Sequence, residues 1–368
     1  MNDKIKSIVL TVLFAVILLT LSVWCIVKPG PEYSDSERRV LASFPEITWE
    51  NILSADFMSD FEDYTVDRFP MRDLFRSVKA LSEKYIFVKK DNNDIYTVDG
   101  HLSKLEYPLS IPMLDNAAEK FLYIYEKYIE GTQSDVYFSI VPDKNYFLAE
   151  KNGYLSLDYD KLVSYMKEKT SYMTYIDIID KLSIDDYYTT DTHWRQEKIT
   201  DVAEYIGECM GADVKADYTE NTLDNPFYGV YYGQSALPFK PDTLKYLTNE
   251  TLGNCIVTSY DTGKPVEKSV YDMEEAYGKD PYEMFMAGSD ALIVCENPLA
   301  ATDRELIMFR DSFGSSLSPL LVEGYSKITL VDIRYINPAM LGAFANFENC
   351  DVLFIYSTML LNSSSAFK

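Results

Sequence analysis

His193 is one of two histidines in the chain and lies in the segment Tyr187-Tyr-Thr-Thr-Asp-Thr-His-Trp194, two residues after Asp191. Imidazole changes its charge near neutral pH without a large environmental shift, so a chain this sparing with histidine offers little choice of general base. A matching nucleophile lies in Glu305-Leu-Ile-Met-Phe-Arg-Asp-Ser-Phe-Gly-Ser-Ser-Leu-Ser-Pro319. There Leu306 to Phe309 reads as a short buried strand and Ser315 to Val322 as the first turns of a helix, with Gly314 between them. Ser312 then stands on a strand-to-helix turn, where free backbone N–H groups and the positive end of a helix can stabilise an oxyanion; its own N–H is the first candidate donor. Asp191, His193 and Ser312 together supply a complete serine triad. Serine is a poor nucleophile at its own pKa and needs a base, His193 takes its proton, and Asp191 fixes the tautomer and stabilises the imidazolium.

Each motif alone has a plainer explanation. Asp-Ser after a strand is a common helix cap, and a histidine beside a tryptophan is often a packed, hydrogen-bonded residue. Their joint occurrence in a chain with two histidines favours chemistry. His101, in Asp99-Gly-His-Leu, reads as a turn residue.

The elements that must position these groups alternate. Helical patterns from about Met113 to Ile129, Asp158 to Lys169, Gln196 to Met210, Leu317 to Tyr325 and Pro338 to Asn346 interleave with strands. The strands read from Asp135 to Val141, Tyr175 to Ile179, Ala291 to Cys295, Leu306 to Phe309, Ile328 to Asp332 and Val352 to Tyr356. Such alternation implies a mostly parallel sheet with helices on its faces, a three-layer α/β domain, with its site at the C-terminal strand ends. A hairpin turning at Asp261 to Gly263 suggests a small β-rich insertion over about 228–290. Before the body, a helical arm over 31–90 carries an apolar stripe of Phe57, Phe61 and Tyr64 expected to pack it onto the main domain, 91–368.

Lys4 and Lys6 precede an uncharged run from Ser7 to Val27, followed by Lys28 and Pro29. Residues 8–27 suffice to span a bilayer, and with no small-residue cleavage pattern 1–30 reads as an uncleaved signal anchor that leaves the body on the extracytoplasmic side. The chain has 368 residues, 47% of them hydrophobic, enough for a sizeable core. Its formal net charge of −24 argues against nucleic acid and anionic polymers as partners and fits neutral glycans better. Thirty tyrosines suit a sugar-binding groove, although filling strands and half-buried surfaces is the better explanation for most of them. The five cysteines show no metal-ligand spacing, so neither a metal nor a cofactor is expected, and disulfide pairing stays open.

Several segments in order resemble the DHHW protein family of exported bacterial proteins, and more distantly the proteins that O-acetylate alginate. They are Glu37-Arg-Arg-Val-Leu-Ala with Phe44-Pro45, Phe61 through Asp67-Arg-Phe-Pro-Met-Arg72, Val141-Pro-Asp-Lys144, Tyr188 through Trp194, Tyr228 to Gly233, Arg310-Asp-Ser-Phe-Gly314 and Val331-Asp-Ile-Arg-Tyr335. The chain departs from the family's Asp-His-His-Trp at Thr192. The resemblance implies an SGNH-hydrolase-like fold and serine acyl transfer, as an O-acetyltransferase or esterase on a cell-envelope or secreted polysaccharide. It also implies a membrane-embedded O-acyltransferase as acyl donor. Lys144, Tyr232, Gly233 and Arg310 become candidates for substrate or oxyanion contacts, with a structural role the favoured alternative for Lys144 and Arg310 placed to brace the turn. The competing expectation is a non-catalytic glycan-binding or assembly protein that keeps the fold without turnover.

Overall fold

The computed structural model describes residues 3–27, 30–34, 36–261 and 263–368. Lys28 and Pro29 beyond the apolar run, and Thr262 in the expected hairpin turn, lie outside the described residues. The chain divides into two compact units, Met1–Asn93 with Tyr232–Phe239, and Asp94–Tyr231 with Lys240–Lys368.

The first unit begins with helix α1 (Asp3–Val27), of which Asp3–Cys25 is long and apolar enough to cross a membrane and is nowhere buried. Helices α2 (Asp56–Asp67) and α3 (Arg72–Tyr85) follow. The apolar stripe of α2 gathers around one ring of its own unit: Phe57, Phe61 and Tyr64 meet Phe44 edge-on at centroid distances of 6.5, 6.0 and 5.3 Å. Between the helices, Asp67 accepts two N–H bonds from Arg39, at 2.8 and 2.5 Å, and one from the Ala42 backbone at 2.9 Å. Arg68 donates to the carbonyls of Gly30, Pro31 and Ala42, and Glu37 pairs with Arg72 and Arg76 at 2.5 and 3.1 Å. The two segments Glu37-Arg-Arg and Asp67 to Arg72 are therefore halves of one ion cluster that ties the stretch after α1 to the α2–α3 corner.

The second unit is built on an eight-stranded sheet. Its strands in chain order are β1 (Asp135–Val141), β2 (Thr174–Ile176), β3 (Ile256–Ser259), β4 (Val266–Lys268), β5 (Leu292–Glu296), β6 (Glu305–Arg310), β7 (Lys327–Val331) and β8 (Asp351–Ser357). The spatial order is β4-β3-β5-β7-β6-β8-β1-β2. From β7 through β2 the neighbours are parallel; β5, β3 and β4 add antiparallel strands at one edge.

Alternation along each strand feeds two cores. On β6, Leu306 and Met308 join a cluster with Val202 and Ile206 of α7 (Thr200–Met210). Ile307 and Phe309 face a second cluster with Leu114 and Phe121 of α4 (Ile111–Ile124), and with Leu162 and Met166 of α6 (Tyr159–Lys169). A period of two sends successive side chains to opposite faces, so the near-continuous apolar runs are what a sheet covered on both faces requires.

Three details differ from the sequence expectation. The hairpin at 256–268 does not form a separate β-rich lobe; it pairs onto β5 and lengthens the main sheet, because an edge strand presents unpaired N–H and C=O groups that a hairpin can satisfy. What the inserted region adds instead is one strand, Lys245–Thr248, paired with Thr219–Thr222 of the segment before it, and Leu244, Ala276, Tyr282, Met284 and Phe285, which form a small core with Tyr188, Leu223 and Phe227. The helix expected from Ser315 begins earlier, at α8 (Ser312–Leu317), because Asp311 caps it.

The guanidinium of Arg39 holds the Asp67 carboxyl down at about 2. A carboxyl depressed by folding contributes stability that is present above its unfolded value near 4 and is lost as pH falls towards 2. Acid titration followed by near-ultraviolet dichroism should therefore show a transition in that window that Asp67→Asn abolishes, and at neutral pH the variant should lose about 2–3 kcal/mol in urea unfolding.

Candidate active site

Ser312 is the first residue of α8, directly beyond the C-terminal end of β6. Asp311 sets the turn: one carboxylate oxygen accepts the Phe313 N–H at 3.1 Å and the other accepts the Ser357 N–H from the end of β8 at 2.8 Å. The chain is thus pinned on both sides of the serine. As the first helical residue, Ser312 has an N–H with no acceptor inside the helix.

The Tyr187–Trp194 loop brings up the other two groups. His193 Nε2 lies 2.8 Å from Ser312 Oγ, and His193 Nδ1 lies 2.6 Å from Asp191 Oδ1. Asp191 is fully buried, whereas His193 and Ser312 keep partial exposure. The Asp191 carboxylate also accepts the backbone N–H of His193 at 3.0 Å and that of Val230 at 2.8 Å. Three donors to one buried carboxylate favour its ionised form. With Nδ1–H directed at Asp191, Nε2 is left to receive the serine proton.

The loop itself is held from four directions. Lys144, buried at the start of α5 (Lys144–Leu148), donates to the carbonyls of Tyr188, Thr189 and Asp191 at 2.7, 3.0 and 3.1 Å. Burial pushes its ammonium down to about 7 against the pull of Asp191 and Asp242, yet three carbonyl acceptors require three N–H donors, the charged form. Asp242 accepts from the backbone N–H groups of Thr189 and Thr190 and from the Thr190 hydroxyl, at 2.8, 2.7 and 2.6 Å. Gly229 lies so close that an added Cβ would overlap the Asp191 backbone and Cβ, which is why a residue with no side chain precedes the Val230 donor. Trp194 Nε1 donates to the Phe313 carbonyl and to Ser316 Oγ, at 3.1 and 2.9 Å, joining the loop to α8.

Of the residues singled out in the sequence, Asp191, His193 and Ser312 come together. Lys144 turns inward to the loop carbonyls, with its three N–H groups engaged, and so braces the histidine loop instead of facing a substrate. Arg310 is likewise wholly buried, donating to the carbonyls of Gly288 and Asp290 at 2.9 and 3.3 Å, with Asp332 at 3.6 Å; it braces β6 and has no surface for a ligand. Tyr232 and Gly233 belong to the first unit. There the Gly233 carbonyl accepts from Arg76 at 2.8 Å and its Cα abuts the Ser36 carbonyl. Sequence reasoning missed Asp242, Gly229 and Tyr282; only Gly229 lay in a segment with a signal, Tyr228 to Gly233. Burial pushes the other histidine, His101, down to about 4, with Lys144 opposing its charge as well.

No family model matches the chain, and neither does any curated protein. Solved structures do. A DHHW family protein from Eubacterium siraeum DSM 15702 superposes with a TM-score of 0.61 at 22% identity, over 75% of this chain and 94% of that one. The chain has the fold of a DHHW family protein. Bacillus cereus PatB1, a structure also solved with a sulfonyl adduct, gives a TM-score of 0.58 at 20% identity over 73% of this chain and 96% of that one. The O-acetyltransferase domain of Pseudomonas putida AlgJ gives 0.43 at 12% identity over 73% and 93%. Within the DHHW-like loop, Thr192 stands where the family name has its first histidine; its hydroxyl accepts from Tyr231 at 3.0 Å and donates to Met359 Sδ at 3.5 Å.

Replacing Lys144 by Met keeps most of the apolar stem and removes three donors from buried carbonyls. The expected cost is about 2–4 kcal/mol in chemical unfolding. Lys144→Ala should be no better tolerated, since it removes the same three bonds, leaving the Thr189 carbonyl with only the Leu102 N–H, and adds a void.

Proposed function

We propose that this chain is a serine acyl-transfer enzyme of the SGNH-like class, acting as an O-acetyltransferase or esterase on a cell-envelope or secreted polysaccharide. The observation that carries the reading is the unbroken relay from Ser312 Oγ through His193 to the buried Asp191 carboxylate, at 2.8 and 2.6 Å. His193 withdraws the Ser312 proton as Oγ attacks an acyl carbonyl, and the imidazolium that forms is stabilised by Asp191. The tetrahedral oxyanion is received at the head of α8, with the Ser312 N–H as one donor. Collapse leaves an acyl-serine and returns the proton to the leaving group. A sugar hydroxyl or water then attacks the acyl-serine with His193 again as base.

The apolar helix α1 would hold the body at the extracytoplasmic face, and a membrane-embedded O-acyltransferase would supply the acyl group. The sulfonyl adduct of PatB1 is consistent with a DHHW-like fold that presents a reactive nucleophile. Turnover should be measured with the full chain in detergent, using an aryl acetate and then a neutral glycan acceptor. Ser312→Ala and His193→Ala should each lower the rate by roughly three orders of magnitude or more, since such residues act as a unit. Acetyl appearing on the glycan identifies a transferase. Equal rates in wild type and both variants would leave a glycan-binding or assembly role as the better reading.

A further inference from the structure

The imidazole of His193 is covered on one face by the ring of Tyr282, with centroids 3.8 Å apart and planes within 8° of parallel. Tyr282 comes from the inserted region, on a short turn (Pro281–Met284) whose start is capped by Asp280 accepting the Tyr282 N–H at 3.1 Å. Its ring is buried and wedged by Phe285 and Tyr188, at 5.1 and 6.4 Å. Its hydroxyl lies 2.7 Å from Ser316 Oγ, the same oxygen that accepts from Trp194 Nε1 at 2.9 Å. One serine on α8 therefore fixes both the residue after His193 and the ring stacked upon it.

We propose that Tyr282 is a positioning residue for His193: its ring holds the imidazole in the plane that joins Asp191 to Ser312 and stabilises the imidazolium formed when the serine proton is taken. The inference rests on the serine acyl-transfer reading for its role in turnover. A histidine that is free to rotate about its side-chain bonds meets both partners only part of the time, and a parallel ring at van der Waals distance restricts that rotation. An aromatic face also carries negative charge density that attracts a cation placed over it. A filler of the same volume would restrict the histidine but would give no such preference for its charged form.

The groups around the imidazole are the Asp191 carboxylate at Nδ1, the Ser312 hydroxyl at Nε2, the Tyr282 phenol on one face and the apolar Phe313 ring at 5.0 Å. Further charges are the Lys144 ammonium, bonded to the Asp191 carbonyl, and the Asp311 and Asp280 carboxylates, which act on Tyr282. All except Tyr282 are unchanged in the variants below, so a shift reports the ring.

The test is a histidine-selective NMR titration of the full chain in detergent. With two histidines in the chain, His193→Ala assigns the spectrum and His101 serves as internal control. Tyr282→Phe should keep the His193 midpoint and most of the aryl acetate turnover. Tyr282→Leu should lower the midpoint by roughly half to one pH unit and kcat by about tenfold, with KM within about twofold. Pentafluorophenylalanine at 282 keeps the shape and reverses the ring's charge distribution, so it should lower the midpoint even if the leucine variant fails to fold. An unchanged midpoint with pentafluorophenylalanine and an unchanged kcat in Tyr282→Leu would overturn the inference. If wild type has no turnover, the acyl-transfer reading fails, and the titration alone still decides whether the ring favours the imidazolium.

Discussion

A carboxylate removed from water must be repaid with donors, and much of the second unit's local design serves the Asp191 carboxylate. Transfer of an unpaired carboxylate to the interior costs several kcal/mol. Here three N–H groups meet it, two from His193 and one from Val230, and bonds to an ionised acceptor are about twice as strong as neutral ones. The same bonds that make the burial tolerable set the imidazole's tautomer and direction. Local stability and chemical readiness thus rest on one interaction.

That interaction depends on segments far apart in sequence. The Tyr187–Trp194 loop has little regular structure of its own, so its shape is imposed by the Lys144 ammonium, the Asp242 carboxylate and the bare Cα of Gly229. The serine meets the loop from the end of a central parallel strand. The Asp311 cap fixes it to the neighbouring strand through the Ser357 N–H. The parallel core of the sheet is buried on both faces, and from its strand ends two short loops meet within hydrogen-bond distance.

That Asp191, His193 and Ser312 belong together is legible in the sequence because each carries its own local signature. Ser312 lies between an apolar run and a glycine-containing helix start, and Asp191 and His193 lie two apart in a chain poor in histidine. The parallel strands are legible for a similar reason: runs such as Leu306 to Phe309 are too short for helices and too apolar for an exposed sheet. Asp242 and Tyr282 are not legible, because nothing near Lys240-Pro-Asp242 or Pro281-Tyr-Glu283 states that a distant loop needs donors or an aromatic face. A structural role for Lys144 is legible, but not its partners; nothing in the sequence says that its three N–H groups serve the carbonyls of the histidine loop. The edge hairpin was legible as a hairpin, but its partner was not, since strand pairing is fixed by a tertiary edge and not by the turn.

The most direct test of the serine relay is covalent. Full-length protein treated with phenylmethanesulfonyl fluoride should gain a single adduct by intact mass, mapped by peptide sequencing to Ser312, and His193→Ala should gain none over the same interval. An adduct at another residue, or equal labelling of wild type and His193→Ala, would contradict activation of Ser312 by His193.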